Sequence, residues 1–252
     1  MEKKMYDSEK LLGEQSNLQN LSTNFALENV GKNLVEEIAK NEKERIKTLI
    51  YVRHGTSEWN KAYAADKALP ENIGKNPHII SPNLSALTSI KTDIEMLLAE
   101  EGIEEAKEAG KKLVEYFDRF RPEHFFSSEC FRAIETRKHA IEEMERIYGE
   151  LFSSNIQLRE LNSLNEESSR GPEGSKLGAR AEAFLATLDE EFPKIDTIVV
   201  FGHRNWYKTF LQQIHNWTPE ELKANIHLAK LKNGQIALHQ GTDWRTLKRI
   251  GE

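Results

Sequence analysis

Two histidines, His54 and His203, each follow a short apolar run: Thr48 to Val52 leads into Arg53-His54-Gly55, and Thr197 to Phe201 leads into Gly202-His203. Short runs of β-branched and aromatic residues have the composition of strands buried on both faces. At the carboxyl edge of an open parallel sheet the departing loops diverge and leave a crevice where ligands bind. Two such strands place both imidazoles on one ligand-facing edge. Gly55 lets the backbone turn closely beneath whatever binds there.

Imidazole and guanidinium together suit a phosphate monoester. Arg53 adjoins His54, and Arg132 falls in the first turn of a helix that follows the run His124 to Ser128. A planar guanidinium fork matches phosphate oxygens as a point charge does not, and helix N–H groups near Arg132 add to the same field. His54 would attack phosphorus in line if its attacking nitrogen is unprotonated, a state that neighbouring arginines favour by penalising a second positive charge. A covalent phosphohistidine splits one hard displacement into two easier ones. The leaving alkoxide needs a proton. Glu160, which closes the run Asn155 to Glu160, is the expected source, and the same carboxylate would later activate water. Glu129, Glu135, Glu166 and Glu167 are neighbouring acids that could substitute for it.

The order Arg53-His54-Gly55, Ser127-Ser128-Glu129-Cys130-Phe131-Arg132-Ala133-Ile134-Glu135-Thr136, Leu158-Arg159-Glu160 and Phe201-Gly202-His203 resembles the histidine phosphatase superfamily, the phosphoglycerate mutase-like or RHG proteins. The likeness spans roughly residues 47 to 240. It implies a three-layer α/β/α sandwich around a mostly parallel sheet, with His54 as the nucleophile and His203 stabilising the transferring phosphoryl group. It also implies a phosphate contact from Asn60, with Thr56 able to donate a hydroxyl there. Trp59 is read as packing. Arg204 departs from the small residue common after the second histidine, and reads equally as a substrate contact or a solvated helix-start arginine.

Within that family the mutases carry an Arg-His-Tyr-Gly-like run directly after the acid glutamate. Leu161-Asn162-Ser163-Leu164 follows Glu160, so hydrolysis is expected rather than return of the phosphoryl group to product. The acid-phosphatase and phytase branch commonly has His-Asp where this chain has His203-Arg204. The alternatives are a mutase-type phosphotransferase and a weakly catalytic module that binds phosphorylated ligands on the same fold. The expected partner is a phosphorylated small molecule or phosphoprotein. No cofactor or metal is expected: His78, His124, His139, His215, His227 and His239 share no ligand spacing with Cys or Asp.

The chain has 252 residues, net charge −6 and a single cysteine, Cys130. That length suits one α/β domain with additions, and one cysteine allows no internal disulfide. Interspersed charges without a basic stripe argue against nucleic acid, and no long apolar stretch predicts a membrane span. The acidic start lacks a presequence pattern, so a cytoplasmic location is expected.

Residues 1–46 read as a polar leader and an amphipathic helix in which Leu27, Val30, Leu34, Val35 and Ile38 share a face. That face packs on the catalytic domain or forms a homodimer contact. Residues 47–252 form the catalytic domain, with a long insert at about 61–96, rich in Pro and Asn and without sustained periodicity, that roofs the site. Helices are expected around Ile103 to Phe117, Phe131 to Tyr148, Leu177 to Phe192 and Trp206 to Ile214. Asn233-Gly234 predicts a hairpin between Ala229-Lys230-Leu231 and Ile236-Ala237-Leu238 that finishes the sheet with an antiparallel pair.

Overall fold

The computed structural model describes residues 45–69, 82–88, 91–92, 94–149, 152–166 and 174–250. The N-terminal leader and helix expected within residues 1–46 lie almost wholly outside the described residues.

Two runs form the heart of the sheet. Strand β1 (Lys47–Arg53) is buried along its length up to half-buried Arg53, and β4 (Thr197–Gly202) is buried at every position. Each is covered on both faces, which is why neither alternates polar with apolar residues. With β2 (His124–Ser127), β3 (Gln157–Glu160), β5 (Ile236–Gly241) and β6 (Lys248–Ile250) they make a six-stranded sheet in the order β3-β2-β4-β1-β5-β6. β3, β2, β4 and β1 run parallel, and β5 is antiparallel to both β1 and β6. The register decides the site. Arg53 lies beside Gly202, Ser127 beside Phe201, and Glu160 beside Ser127. The residues that follow these strands therefore emerge on one edge.

Helices cover both faces, giving the expected three-layer α/β/α sandwich. In chain order they are α1 (Glu58–Ala68), α2 (Pro82–Thr88), α3 (Glu100–Phe120), α4 (Phe131–Tyr148), α5 (Gly174–Glu191), α6 (Arg204–Ile214) and α7 (Pro219–Ala224). One core layer joins Ile50, Val52, Phe125, Val199 and Phe201 to Ala109 and Leu113 of α3 and to Ala140 and Met144 of α4. The other joins Leu49, Tyr51, Phe126, Ile198 and Val200 to Phe184 and Leu188 of α5 and to Trp206, Tyr207 and Phe210 of α6.

Two sequence readings are corrected. The stretch from Lys61 to Glu95 was expected to lack regular structure, yet it holds most of α1 and all of α2. α1 starts at a capping box in which Ser57 Oγ accepts from Asn60 N and Asn60 Oδ1 accepts from Ser57 N. Its apolar residues, Trp59, Tyr63 and four alanines, do not gather on one face, and Asp66 is its one buried residue, so no apolar stripe marks it. The second correction concerns Asn233-Gly234. The turn is real, with Gly234 at φ +67°, but Ala229 belongs to a 3₁₀ helix (Ile226–Ala229) rather than to a strand. The Gly234 N–H is shared between the carbonyls of Arg53 and His54, and β5 pairs with β1 and β6 instead.

The Arg-His-Gly corner rests on the first turn of α3, backbone against backbone. A Cβ on Gly102 would lie 2.0 Å from the Thr56 carbonyl oxygen, and one on Gly55 would lie 2.3 Å from the Gly102 carbonyl oxygen. Neither contact can be relieved by turning a side chain. Gly102→Ala is therefore expected to lower stability by about 1–3 kcal/mol, the usual cost of overpacking. A denaturant midpoint equal to that of the wild type would show that the two backbones separate freely.

Candidate active site

His54 is buried just beyond β1, held by its N–H to the Gly202 carbonyl at 3.0 Å. Its Nδ1 lies 2.7 Å from the Gly55 carbonyl oxygen. A carbonyl only accepts, so Nδ1 carries the proton and Nε2 carries the free lone pair. Burial first, then Arg132 and Arg53, hold this imidazole well below its usual pKa, which keeps it neutral.

His203 caps the start of α6 and is fully buried. Its Nε2 lies 2.7 Å from Ser128 Oγ, and that oxygen accepts from the Cys130 N–H at 3.0 Å. Among the described residues its buried Nδ1 has no hydrogen-bond partner. The two imidazoles face each other with ring centroids 5.1 Å apart. Burial, followed by Arg132, His54 and Arg53, holds His203 neutral as well. From below, Tyr51 Oη donates to the His203 carbonyl at 2.9 Å, and Gly202 leaves room for that hydroxyl because a Cβ there would lie 2.3 Å from it.

The arginines close the corner. Arg132 is buried in the first turn of α4. Thr136 Oγ1 donates to the Arg132 carbonyl at 2.6 Å and accepts from the Gly55 N–H at 3.0 Å, tying the helix that carries Arg132 to the loop that carries His54. Arg53 is half-buried, and its Nη1 donates to the Leu231 carbonyl at 2.7 Å. Burial lowers its pKa, and exposed Arg204 at the start of α6 adds to that effect.

The carboxylate brought to these groups is Glu166, one of the substitutes, rather than Glu160. Glu166 Oε2 lies 3.6 Å from His203 Nδ1 and 3.7 Å from Arg132 Nη2, and Oε1 accepts from the Asn205 N–H at 2.9 Å. Glu160 ends the edge strand β3, whose side chains all face solvent, and it pairs with Arg137 at 2.8 Å with its side chain 44% exposed. Past β3 the chain folds back through a 3₁₀ turn (Asn162–Leu164). Buried Leu164 and the bond from Trp206 Nε1 to the Ser163 carbonyl at 2.6 Å anchor that turn.

Thr56 and Asn60 are largely occupied within the protein. Thr56 Oγ1 donates to Glu105 at 3.2 Å and accepts from Asn233 Nδ2 at 2.8 Å. Asn60 Oδ1 completes the cap of α1. Trp59 stacks on Tyr63, as packing requires. Ser128, Thr136 and Tyr51 carried no role in the sequence reading, since their work is done through hydrogen bonds between distant segments.

Single ligand atoms from His54, Glu166 and His203 all lie within 4.8 Å of one another, a set that could hold a metal ion. Spacing could not reveal it, because its members sit on three separated segments.

A family model described as "Histidine phosphatase superfamily (branch 1)" matches residues 49–247. The chain belongs to the histidine phosphatase superfamily. Among curated proteins, none matches it. Solved structures agree on the fold. A mycobacterial glucosyl-3-phosphoglycerate phosphatase is 15% identical, covering 82% of this chain and 97% of its own, with a TM-score of 0.53. The same enzyme in complex with VO3 gives 14%, 81%, 96% and 0.51. A protein titled "Mycobacterial hydrolase 1" gives 15%, 82%, 96% and 0.54.

This histidine phosphatase superfamily member has a further fully buried histidine, His239 on β5, whose Nε2 lies 2.7 Å from Tyr207 Oη and whose pKa burial pushes down to about 3. The unfolded chain binds a proton there near pH 6.5, whereas the folded chain does not until about pH 3. The unfolded state thus holds more protons in that window, so stability is full above pH 6.5 and falls as pH drops toward 3. Replacing His239 with Gln is expected to flatten the acid limb of stability by up to about 1.4 kcal/mol per pH unit. Parallel limbs in wild type and variant, measured by denaturant titration between these pH values, would assign the acid sensitivity elsewhere. Among the described residues no helix is long and apolar enough to cross a membrane.

Proposed function

We propose that the protein hydrolyses phosphate monoesters through a phosphohistidine on His54, without a metal. The observation that carries this reading is the bond between His54 Nδ1 and the Gly55 carbonyl, which aims an unprotonated Nε2 into a corner bounded by two arginines. Arg53 and Arg132 bind the dianion, and His203 Nδ1, without a hydrogen-bond partner among the described residues, supplies a further donor to a phosphoryl oxygen when it carries the proton.

In the first step the Nε2–P bond forms as the ester P–O bond breaks, and the leaving oxygen takes a proton from the Glu166 carboxyl group. The arriving dianion brings like charge beside that carboxylate, which favours a proton on it. In the second step Glu166 takes a proton from water, the new P–O bond forms and the N–P bond breaks. Inorganic phosphate leaves, and His54 returns neutral. The substrate is a phosphorylated small molecule or a phosphoprotein side chain, and the segment after α1 carries the preference among them. The superfamily's solved phosphatases support the class of reaction, since one is named for a phosphorylated sugar acid.

The test is turnover of p-nitrophenyl phosphate in excess EDTA, with a rapid quench to trap enzyme-bound phosphate. Phosphate bound in an acid-labile, base-stable linkage is expected. Absence of turnover across a panel of phosphomonoesters, with inorganic phosphate still binding, would return the protein to the binding-module reading.

A further inference from the structure

We propose that His54, His203 and Glu166 also form a site for a divalent transition metal of the zinc class, and that an ion bound there shuts the phosphate pocket. Two imidazoles and one carboxylate are a donor set that zinc accepts with a fourth position left open. Single ligand atoms of the three residues already lie within 4.8 Å of one another. Among the described residues buried His203 Nδ1 has no hydrogen-bond partner, and it lies 3.6 Å from Glu166 Oε2. Bonds of about 2.0–2.1 Å in a tetrahedron set ligand atoms roughly 3.3–3.4 Å apart, so this pair needs little adjustment.

Each imidazole is also held from behind. The Gly55 carbonyl takes the Nδ1 proton of His54 and leaves Nε2 for a metal. With a metal on Nδ1 of His203, its Nε2–H donates to Ser128 Oγ at 2.7 Å. Outer partners of this kind orient metal-bound histidines and raise their basicity.

The arginines oppose any cation, and that opposition is selective. Arg132 already leans on Glu166, and Arg53 Nη1 is drawn to the Leu231 carbonyl. Magnesium and calcium need six or more oxygen ligands and find one carboxylate, so they gain too little to offset the charge. Zinc gains two nitrogen bonds. A lone pair on His54 given to zinc cannot attack phosphorus, so metal and substrate exclude each other. That inhibitory half rests on the phosphatase reading above; the binding half does not.

The test uses the full chain stripped with EDTA. Calorimetry with Zn2+ alone is expected to give one equivalent bound, and Co2+ the visible bands of a four-coordinate ion. Glu166→Gln and His203→Asn should each weaken Zn2+ binding at least about tenfold, a bound taken from the loss of mere outer-shell partners. Inorganic phosphate should raise the apparent Kd for Zn2+, and Mg2+ should leave it unchanged. Added Zn2+ should raise the apparent KM for the aryl phosphate at constant kcat, reversed by EDTA. If His203→Asn loses its circular dichroism, Glu166→Gln, in the loop after the 3₁₀ turn, decides. No binding to the wild type, binding indifferent to these substitutions, or activation by Zn2+ would each overturn the proposal. Zinc binding that depends on these residues in a chain without phosphatase activity would uphold the site and reject the phosphatase reading.

Discussion

Replacing His54 with alanine is expected to cut metal-independent hydrolysis of p-nitrophenyl phosphate by on the order of 10³-fold or more, and to abolish the trapped phosphoenzyme. The size follows from the role proposed for the residue. Loss of a nucleophile removes the covalent route altogether, whereas loss of a neighbour only weakens it. The fold should survive, because among the described residues the only side-chain hydrogen bond of His54 runs to the adjacent Gly55 carbonyl and the β1–β4 pairing beneath it is backbone. A stability measurement on the same sample separates the two effects. If His54→Ala turned over at a rate near the wild type with its fold intact, phosphohistidine on His54 would be ruled out, and a directly activated water would become the nucleophile to pursue.

The second large effect separates two glutamates. Glu166→Gln is expected to lower kcat by about 10²-fold or more on alkyl phosphates, whose leaving groups need a proton, and far less on p-nitrophenyl phosphate, whose leaving group does not. Glu160→Gln should leave both rates near the wild type. Its carboxylate faces solvent and pairs with Arg137, whose guanidinium keeps a bond to the Arg159 carbonyl at 3.2 Å in the variant. The expected consequence there is a modest loss of stability at the end of β3. The opposite pattern, with Glu160→Gln carrying the leaving-group dependence, would mean that the edge strand swings inward when substrate binds.

These two predictions mark the boundary between local and tertiary information. β1 and β4 were legible because central strands buried on both faces must be apolar throughout, so Thr48 to Val52 and Thr197 to Phe201 stand out in any composition. The histidines were legible for the same reason, since each directly follows such a run. β3 was legible as a strand but misleading as a platform, because an edge strand exposes its side chains and Glu160 inherits that exposure. Helix α1 was missed because its apolar residues are mostly alanines spread round the helix, which leaves no apolar period, and its capping box uses Asn60 where Glu or Gln is usual. At Asn233-Gly234 the turn chemistry was right and the partner wrong. A turn specifies its own dihedral angles, while the free edge of β1 decides which strand pairs there.

By itself the amino-acid sequence determined the buried strands, the helices with an apolar face, and the places of His54, His203, Arg53 and Arg132 at strand ends and a helix start. All of these follow from short-range rules of periodicity, capping and strand ends. Only the tertiary structure decided that β2 and β4 stand between β3 and β1, that Thr136 links the Gly55 loop to Arg132, and that Glu166 rather than Glu160 meets the imidazoles. Those choices join residues tens to more than a hundred positions apart, and hydrogen-bond register and core packing make them; no local stretch of chain contains them.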